Sequence, residues 1–404
     1  MKKILWVVVL AMLLSGCSWI DPERGQPETI PVEVEYGEPT RPLQYQDVEL
    51  TMQSIWKREN PQARILTEAA ALFEAQTGAQ VRIFWPDAQF AGNVDILQLP
   101  AADLDAVSGD VLLDLTQMAG AAGYEKKSHE VLRRQVTEQF GFLAAIPQVP
   151  YLGGIYYNVE VFQQCGIERT PRNWEEFLAL CQTLRDNGWQ PLTMDKPDAL
   201  IAAELHLRRA LGTAEVMRLM SADGHWQSDK PAIAALEQVM EFVKESNMAF
   251  LTPAEHPAGQ NKMALSNSAM MVGTNADCAE VERATLTDLQ WGMFAYPGKN
   301  SSGTWMTTDV LAIPADCENP QAAFDFLMLL VTGEFDQLRA DISGGIPADP
   351  SNASPVAGAM EALEGVQPEP LGLLTQKQLE TAVRLWSGWY ADVSGYTAAL
   401  ERSK

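Results

Sequence analysis

The chain has 404 residues, with 29 Lys and Arg against 53 Asp and Glu, giving a formal net charge of −24. A field of that sign repels polyanions at long range, so nucleic acid is excluded as an expected partner while neutral and cationic solutes stay open. Hydrophobic residues make up 47 %, and beyond the N-terminus no run is apolar for long enough to cross a bilayer as a helix.

In chain order, Lys2 and Lys3 precede an apolar run from Ile4 to Leu14 that is too short for a mature membrane span and reads as an export signal, residues 1–16. It ends in Leu14-Ser15-Gly16-Cys17, which resembles the bacterial lipobox, where the cysteine becomes the lipidated first residue. Lipid on Cys17 would anchor the chain to a cell membrane, facing the extracytoplasmic side. Removing the signal takes the charge to 27 − 53 = −26. Residues 17–46, with Pro22, Pro27, Pro31, Pro39 and Pro42 among acidic and polar neighbours, cannot bury a core and read as an extended tether.

About 355 residues follow, more than one hydrophobic core usually organises, so two lobes are expected. Val48 to Ile55 predicts a strand. Asn60-Pro61 then supplies a cap and a first-turn proline for a helix with Ile65, Leu66, Ala69, Leu72 and Phe73 on one face, stopped at Gly78. Val81 to Trp85 and Val94 to Leu99 predict further strands, and a βαβ rhythm argues for a parallel sheet covered by helices.

The grammar repeats downstream. Gly154 to Tyr157 predicts a strand, and Thr170-Pro171 opens a helix with Trp174, Phe177, Leu178, Cys181 and Leu184 inward and Gly188 as its stop. Trp174 is therefore expected in the core. Later helices are predicted from Pro231 to Asn247, from Asn319-Pro320 to Gly333 and from Gln376 to about Val393.

Catalytic and metal signatures are missing. His129, His206, His225 and His256 stand far apart without HExxH, HxH or CxxC spacing, and neither GxSxG nor GxxxxGK[ST] occurs. Asp103-Leu-Asp105-Ala-Val-Ser-Gly109-Asp110 imitates a calcium loop but puts Val107 at a ligand position, so it reads as an acidic turn. No cofactor, metal or catalytic residue is expected. Two carboxylates at glycosidase spacing remain compatible with so acidic a chain. Cys165, Cys181, Cys278 and Cys317 could pair in three ways, or stay as buried thiols.

Several phrases occur in an order that resembles the extracellular solute-binding proteins of ABC importers, in the sugar-binding, maltose-binding-like family 1. They are Phe73-Glu74 with Thr77-Gly78-Ala79-Gln80-Val81, Val94 to Leu97, Ile146-Pro147 with Ile155-Tyr156-Tyr157-Asn158, and Gly166-Ile167 with Thr170 to Phe177. Further on come Lys262-Met263-Ala264 with Ala269 to Gly273, Trp291-Gly292-Met293 with Tyr296-Pro297-Gly298, Leu311-Ala312-Ile313, Ala322 to Leu327, and Gly345-Ile346-Pro347.

The resemblance implies an α/β, two-lobed periplasmic-binding-protein-like fold of type II, each lobe a sheet flanked by helices with a hinge between. It implies crossings near 146–150, 309–313 and 343–347, an N-terminal lobe of 47–147 plus 311–343 and a C-terminal lobe of 151–308 plus 347–404. It also implies a monomer that closes on a small solute, a mono- or oligosaccharide first of all, and hands it to ABC permease subunits without catalysis.

A sugar needs aromatic platforms and planar polar groups. The ligand-binding candidates are Trp56 after the first strand, Tyr151 just past the first crossing, Asn275 where relatives place a tryptophan after glycine, and Trp305 and Asp309 around the second crossing; Trp85 and Asp103 are weaker. Trp386 and Trp389, three apart on the last helix, suit packing. Competing readings are a cation receptor such as a polyamine binder, caged by Asp103, Asp195 and Asp309, a glycan-active surface enzyme, and a sensory module for a membrane kinase.

Overall fold

The computed structural model describes residues 44–86, 93–106, 111–138, 140–194, 205–220, 224–225, 228–244, 267–285, 289–297, 302–343 and 345–365. Cys17, residues 17–43 of the tether, Asp195, positions 107–110 of the acidic turn, Trp386, Trp389 and the helix expected from Gln376 lie outside the described residues.

Strands β1 Glu49–Gln53, β2 Gln80–Phe84 and β3 Ile96–Pro100 run parallel, as the βαβ rhythm implies. Helix α1, Pro61–Thr77, joins β1 to β2. The Gln62 N–H donates to Asn60 Oδ1 at 2.9 Å, Pro61 fills the first turn, and Gly78 ends the helix at φ 83°, where a side chain would be strained. Asn60 thereby satisfies one of the helix's orphan donors, worth about 1 kcal/mol. The helices that matter next are α2 Trp174–Asp186, α3 Lys230–Lys244, α4 Asn275–Thr285, α5 Pro320–Val331 and α6 Gly333–Ser343. Phe73 on α1 meets Phe326 on α5 edge-on, with ring centroids 5.3 Å apart. Helix α2 starts later than Thr170-Pro171 suggests, because Asn173 is the residue that caps it, accepting from the Glu176 N–H at 2.9 Å.

Strand β4, Ala145–Asn158, is one continuous run of 14 residues, so the segment expected as a crossing and the strand expected at Gly154–Tyr157 are a single element. After it come β5 Gln190–Thr193, β6 Ser268–Thr274, β7 Trp291–Phe294, the short hairpin β8 Tyr296–Pro297 and β9 Ser302–Gly303, and β10 Met306–Ala312. The sheet order is β2-β1-β3-β10-β4-β6-β5, with β7 also on β4. The first half of β4 pairs antiparallel with β10, and its second half, from Gly153, pairs with β6 and β7. Pro147 and Pro150 are tolerated because that first half has a strand neighbour on one side among the described residues, leaving an open edge for a missing N–H. The register shifts between Asp309 and Val310, which face Val149 and Pro147, so Gln148 is the bulged residue.

The two halves have separate cores. One gathers Leu50, Leu66, Phe73, Ile96, Ile146, Leu311 and Phe326; the other half holds two clusters, around Ile155, Trp174, Phe177 and Met270, and around Tyr156, Cys278, Trp291 and Ile346. Trp174 is core, as its helix face predicts. The architecture is thus α/β and two-lobed, with β4 and β10 passing between the halves.

A third passage follows α6, which packs on α1. Fully buried Asp336 accepts from Arg339 Nη2 at 2.7 Å and from the Ala348 and Asp349 N–H groups at 2.9 and 3.0 Å, while Arg339 also donates to the Ile346 carbonyl. The backbone bonds to the Asp336 carboxylate offset part of its desolvation and fasten α6 to the segment entering the second lobe. Cys165, Cys181, Cys278 and Cys317 are free.

Candidate functional site

Parallel strands of open α/β sheets collect ligands beyond their carboxyl ends. Trp56 follows β1, Trp85 follows β2, Asp103 follows β3, and Asp309 on β10 pairs with Pro100, the last residue of β3. The end of the first-lobe sheet that meets the strand crossing therefore carries four of the sequence candidates.

Three of the five principal candidates converge. Tyr151 OH donates to Asp309 Oδ2 at 2.9 Å, and Trp56 Nε1 donates to the same oxygen at 3.4 Å. Trp56 and Asp309 are buried and Tyr151 is half-buried. Burial pushes the Asp309 carboxyl above its usual range, partly offset by the bonds from Tyr151 and Trp56 and by the Arg339 charge. Burial and the Asp309 charge raise the Tyr151 phenol well above its ordinary value; Arg339 and a hydrogen-bonding contact with the Gln62 side chain pull the other way. Tyr151 is thus a neutral donor at any physiological pH.

Asn275 and Trp305 are placed otherwise. Asn275, at the start of α4, is fully buried; its Oδ1 accepts from the Leu152 N–H at 2.8 Å and its Nδ2 donates to the Pro150 carbonyl at 3.4 Å. Its amide is spent on the backbone of β4 where the strand passes between lobes. Trp305 is 1 % exposed and belongs to the second-lobe core, against Gly153. Trp85 is buried with the Arg58 guanidinium 5.8 Å from its ring centroid, and Asp103 is exposed on the 3-10 turn Ala101–Ala106.

Behind Trp56 lies a buried network absent from the sequence candidates. Gln98 Oε1 accepts from Ser54 Oγ at 2.6 Å and from the Ile55 N–H at 3.1 Å, while its Nε2 donates to Gln148 Oε1 at 2.7 Å; Ser54 Oγ in turn accepts from the Trp56 N–H at 3.1 Å. The bulge at Gln148 thus reaches the loop bearing Trp56 through three hydrogen bonds. The available signal was a glutamine inside each of two apolar strands, Ile96–Pro100 and Ala145–Asn158, since a buried polar residue is the informative exception.

Among the described residues no group of three or more His, Cys, Asp and Glu could hold a metal, and no helix is long and apolar enough to cross a membrane. Two cavities of about 500 and 480 Å³, which share Glu125, Glu130, Arg133 and Arg134, take in none of the residues above. The cluster offers two aromatic rings and one buried carboxylate at a passage between lobes, an arrangement suited to holding a polar solute.

The chain is similar in fold to RafE from Streptococcus pneumoniae in its apo form, with a TM-score of 0.67 at 18 % identity over 90 % of this chain and 98 % of that one. RafE in complex with raffinose gives 0.66 at 16 % identity, over 88 % and 98 %. A sugar transporter protein from Bacillus licheniformis in complex with stachyose gives 0.61 at 16 % identity, over 88 % and 100 %. No curated protein sequence matches. The family model described as bacterial extracellular solute-binding protein matches residues 59–334, running from the cap of α1 into the first turn of α6, and the chain belongs to that family.

Proposed function

We propose that this protein is a membrane-anchored lipoprotein that captures a mono- or oligosaccharide between its lobes and delivers it to an ABC import permease. The observation that carries the reading is the convergence of Trp56, Tyr151 and Asp309 where β4 and β10 pass between the two cores. A sugar ring offers apolar faces and a rim of hydroxyls, which this pairing of aromatic rings with a carboxylate suits. The structures of similar fold in complex with raffinose and stachyose support the same class of cargo.

In this reading Trp56, Tyr151 and Asp309 touch the ligand, and Asn275 and Trp305 hold the frame around it. Residues 47–147 with 311–343 form one lobe and 151–308 with 347–404 the other, closing as a hinge about β4, β10 and the segment after α6. Lipid on Cys17 keeps a monomer at the outer face of the membrane, and residues 18–46 give it reach. No chemical step is required of the protein.

The test is thermal unfolding of the purified chain against raffinose, stachyose, maltose, galactose, spermidine and amino acids. A ligand at a hundred times its dissociation constant adds about 2.7 kcal/mol of stability. Stabilisation by a sugar that is recovered unchanged is expected. Stabilisation by spermidine alone, or turnover of a glycoside, would replace this reading with a cation receptor or an enzyme.

A further inference from the structure

Both protein hydrogen bonds to Asp309 fall on Oδ2, and among the described residues Oδ1 receives none. Nearby, Gln62 is 8 % exposed in the first turn of α1, and its side chain contacts the Tyr151 hydroxyl. Its Oε1 is buried with no hydrogen-bond partner. A buried carbonyl acceptor left unpaired is costly and normally absent from a finished site. Tyr151 OH and Trp56 Nε1 both serve Asp309 Oδ2, so neither is left for these two oxygens. What remains are two acceptors without protein partners, Gln62 Oε1 on α1 and Asp309 Oδ1 on β10, whose side chains both contact Tyr151.

We infer that Gln62 is a specificity-determining residue of the ligand site, and that Gln62 Oε1 and Asp309 Oδ1 together read a pair of hydroxyl donors on one ring of a neutral sugar. The inference rests on the sugar-binding reading above and sharpens it. A neutral polyol supplies the two missing protons and satisfies both oxygens. A sugar acid that sets its carboxylate against these two oxygens meets the like charge of Asp309 and is excluded. Because the backbone N–H of Gln62 is capped by Asn60, changing its side chain leaves the helix start intact.

The experiment is calorimetric titration of the full-length chain in detergent with raffinose, stachyose, maltose, galactose and galacturonate, followed by the monodeoxy forms of the tightest binder. For the wild type, neutral sugar binds, galacturonate does not, and two deoxy positions on one ring each weaken binding about tenfold. For Gln62→Leu, the parent sugar binds about tenfold more weakly, and one of those two deoxy forms now binds as well as the parent. Gln62→Asn, which keeps the amide but withdraws it, gives the same loss of discrimination and stands in if the leucine variant does not fold.

A wild type that binds sugar, with Gln62 variants of unchanged affinity or with every deoxy form still discriminated, overturns the role of Gln62 and leaves the sugar reading intact. Binding of galacturonate as tight as galactose overturns the acceptor pair. A wild type that binds no neutral sugar overturns both.

Discussion

Trp305 and Gly153 fit each other so closely that a β-carbon built on Gly153 would overlap the six-membered ring of the indole. The Gly153 N–H donates to the Trp305 carbonyl at 2.7 Å, and the Thr304 hydroxyl donates to the Gly153 carbonyl. The second passage between lobes is thereby packed onto the first at the residue where β4 leaves β10 for β6. Gly153→Ala should therefore cost about 1–3 kcal/mol by overpacking, and Trp305→Ala about 3–5 kcal/mol by leaving a cavity. Urea midpoints at unchanged m-value check both; a neutral Gly153→Ala would mean the indole can move aside.

Asn275→Ala removes the acceptor for the Leu152 N–H inside a buried strand. The expected cost is about 1–3 kcal/mol, the penalty for an unpaired buried donor. Native-state hydrogen exchange should show the Leu152 amide losing protection first, ahead of its neighbours on the β6 side.

Asp309→Asn separates stability from binding. The folded carboxyl titrates above the unfolded one, so the native state holds the extra proton, and wild-type stability falls as pH rises through the folded value. Asparagine does not titrate. The variant's stability relative to wild type should improve from pH 4 to pH 8 in denaturant titrations, while its affinity for sugar drops. Parallel pH profiles would show that the Asp309 charge is solvated in the native state.

His206 gives the opposite slope. It is buried against the Trp174 ring at 5.3 Å, its Nε2 lies 2.8 Å from Gln238 Oε1 on α3, and burial holds it below its usual value. The unfolded chain takes up the proton first, so stability is lost as pH falls below about 6.5 towards the folded value. His206→Gln should flatten that acid limb in melting curves between pH 7 and 5, at some cost in packing at neutral pH.

Local chemistry made part of this molecule legible in advance. Asn60, Pro61 and Gly78 bracket α1 to the residue, because a cap, a fixed φ and a left-handed stop act within one turn of chain. Trp174 was readable as core from its helix face. The resemblance carried the residues at the crossing, and Trp56, Tyr151 and Asp309 do meet, although they stand up to 253 positions apart. Gln98 and Gln148 carry a faint mark, each standing inside an apolar strand, whereas Gln62 in the first turn of α1 carries none, since nothing local distinguishes a first-turn glutamine that will be buried from one that will face water.

By itself the sequence determined the alternation of strands and helices, the acidic surface and the order of family phrases, all properties of neighbouring residues or of sums. Only the tertiary structure decided that Pro147 to Tyr157 is one strand shared by two lobes, that Asn275 is consumed by the backbone, and that Trp305 turns inward against a glycine. Each of those outcomes depends on which distant strand arrives alongside, and strand register is set by the packing of whole faces.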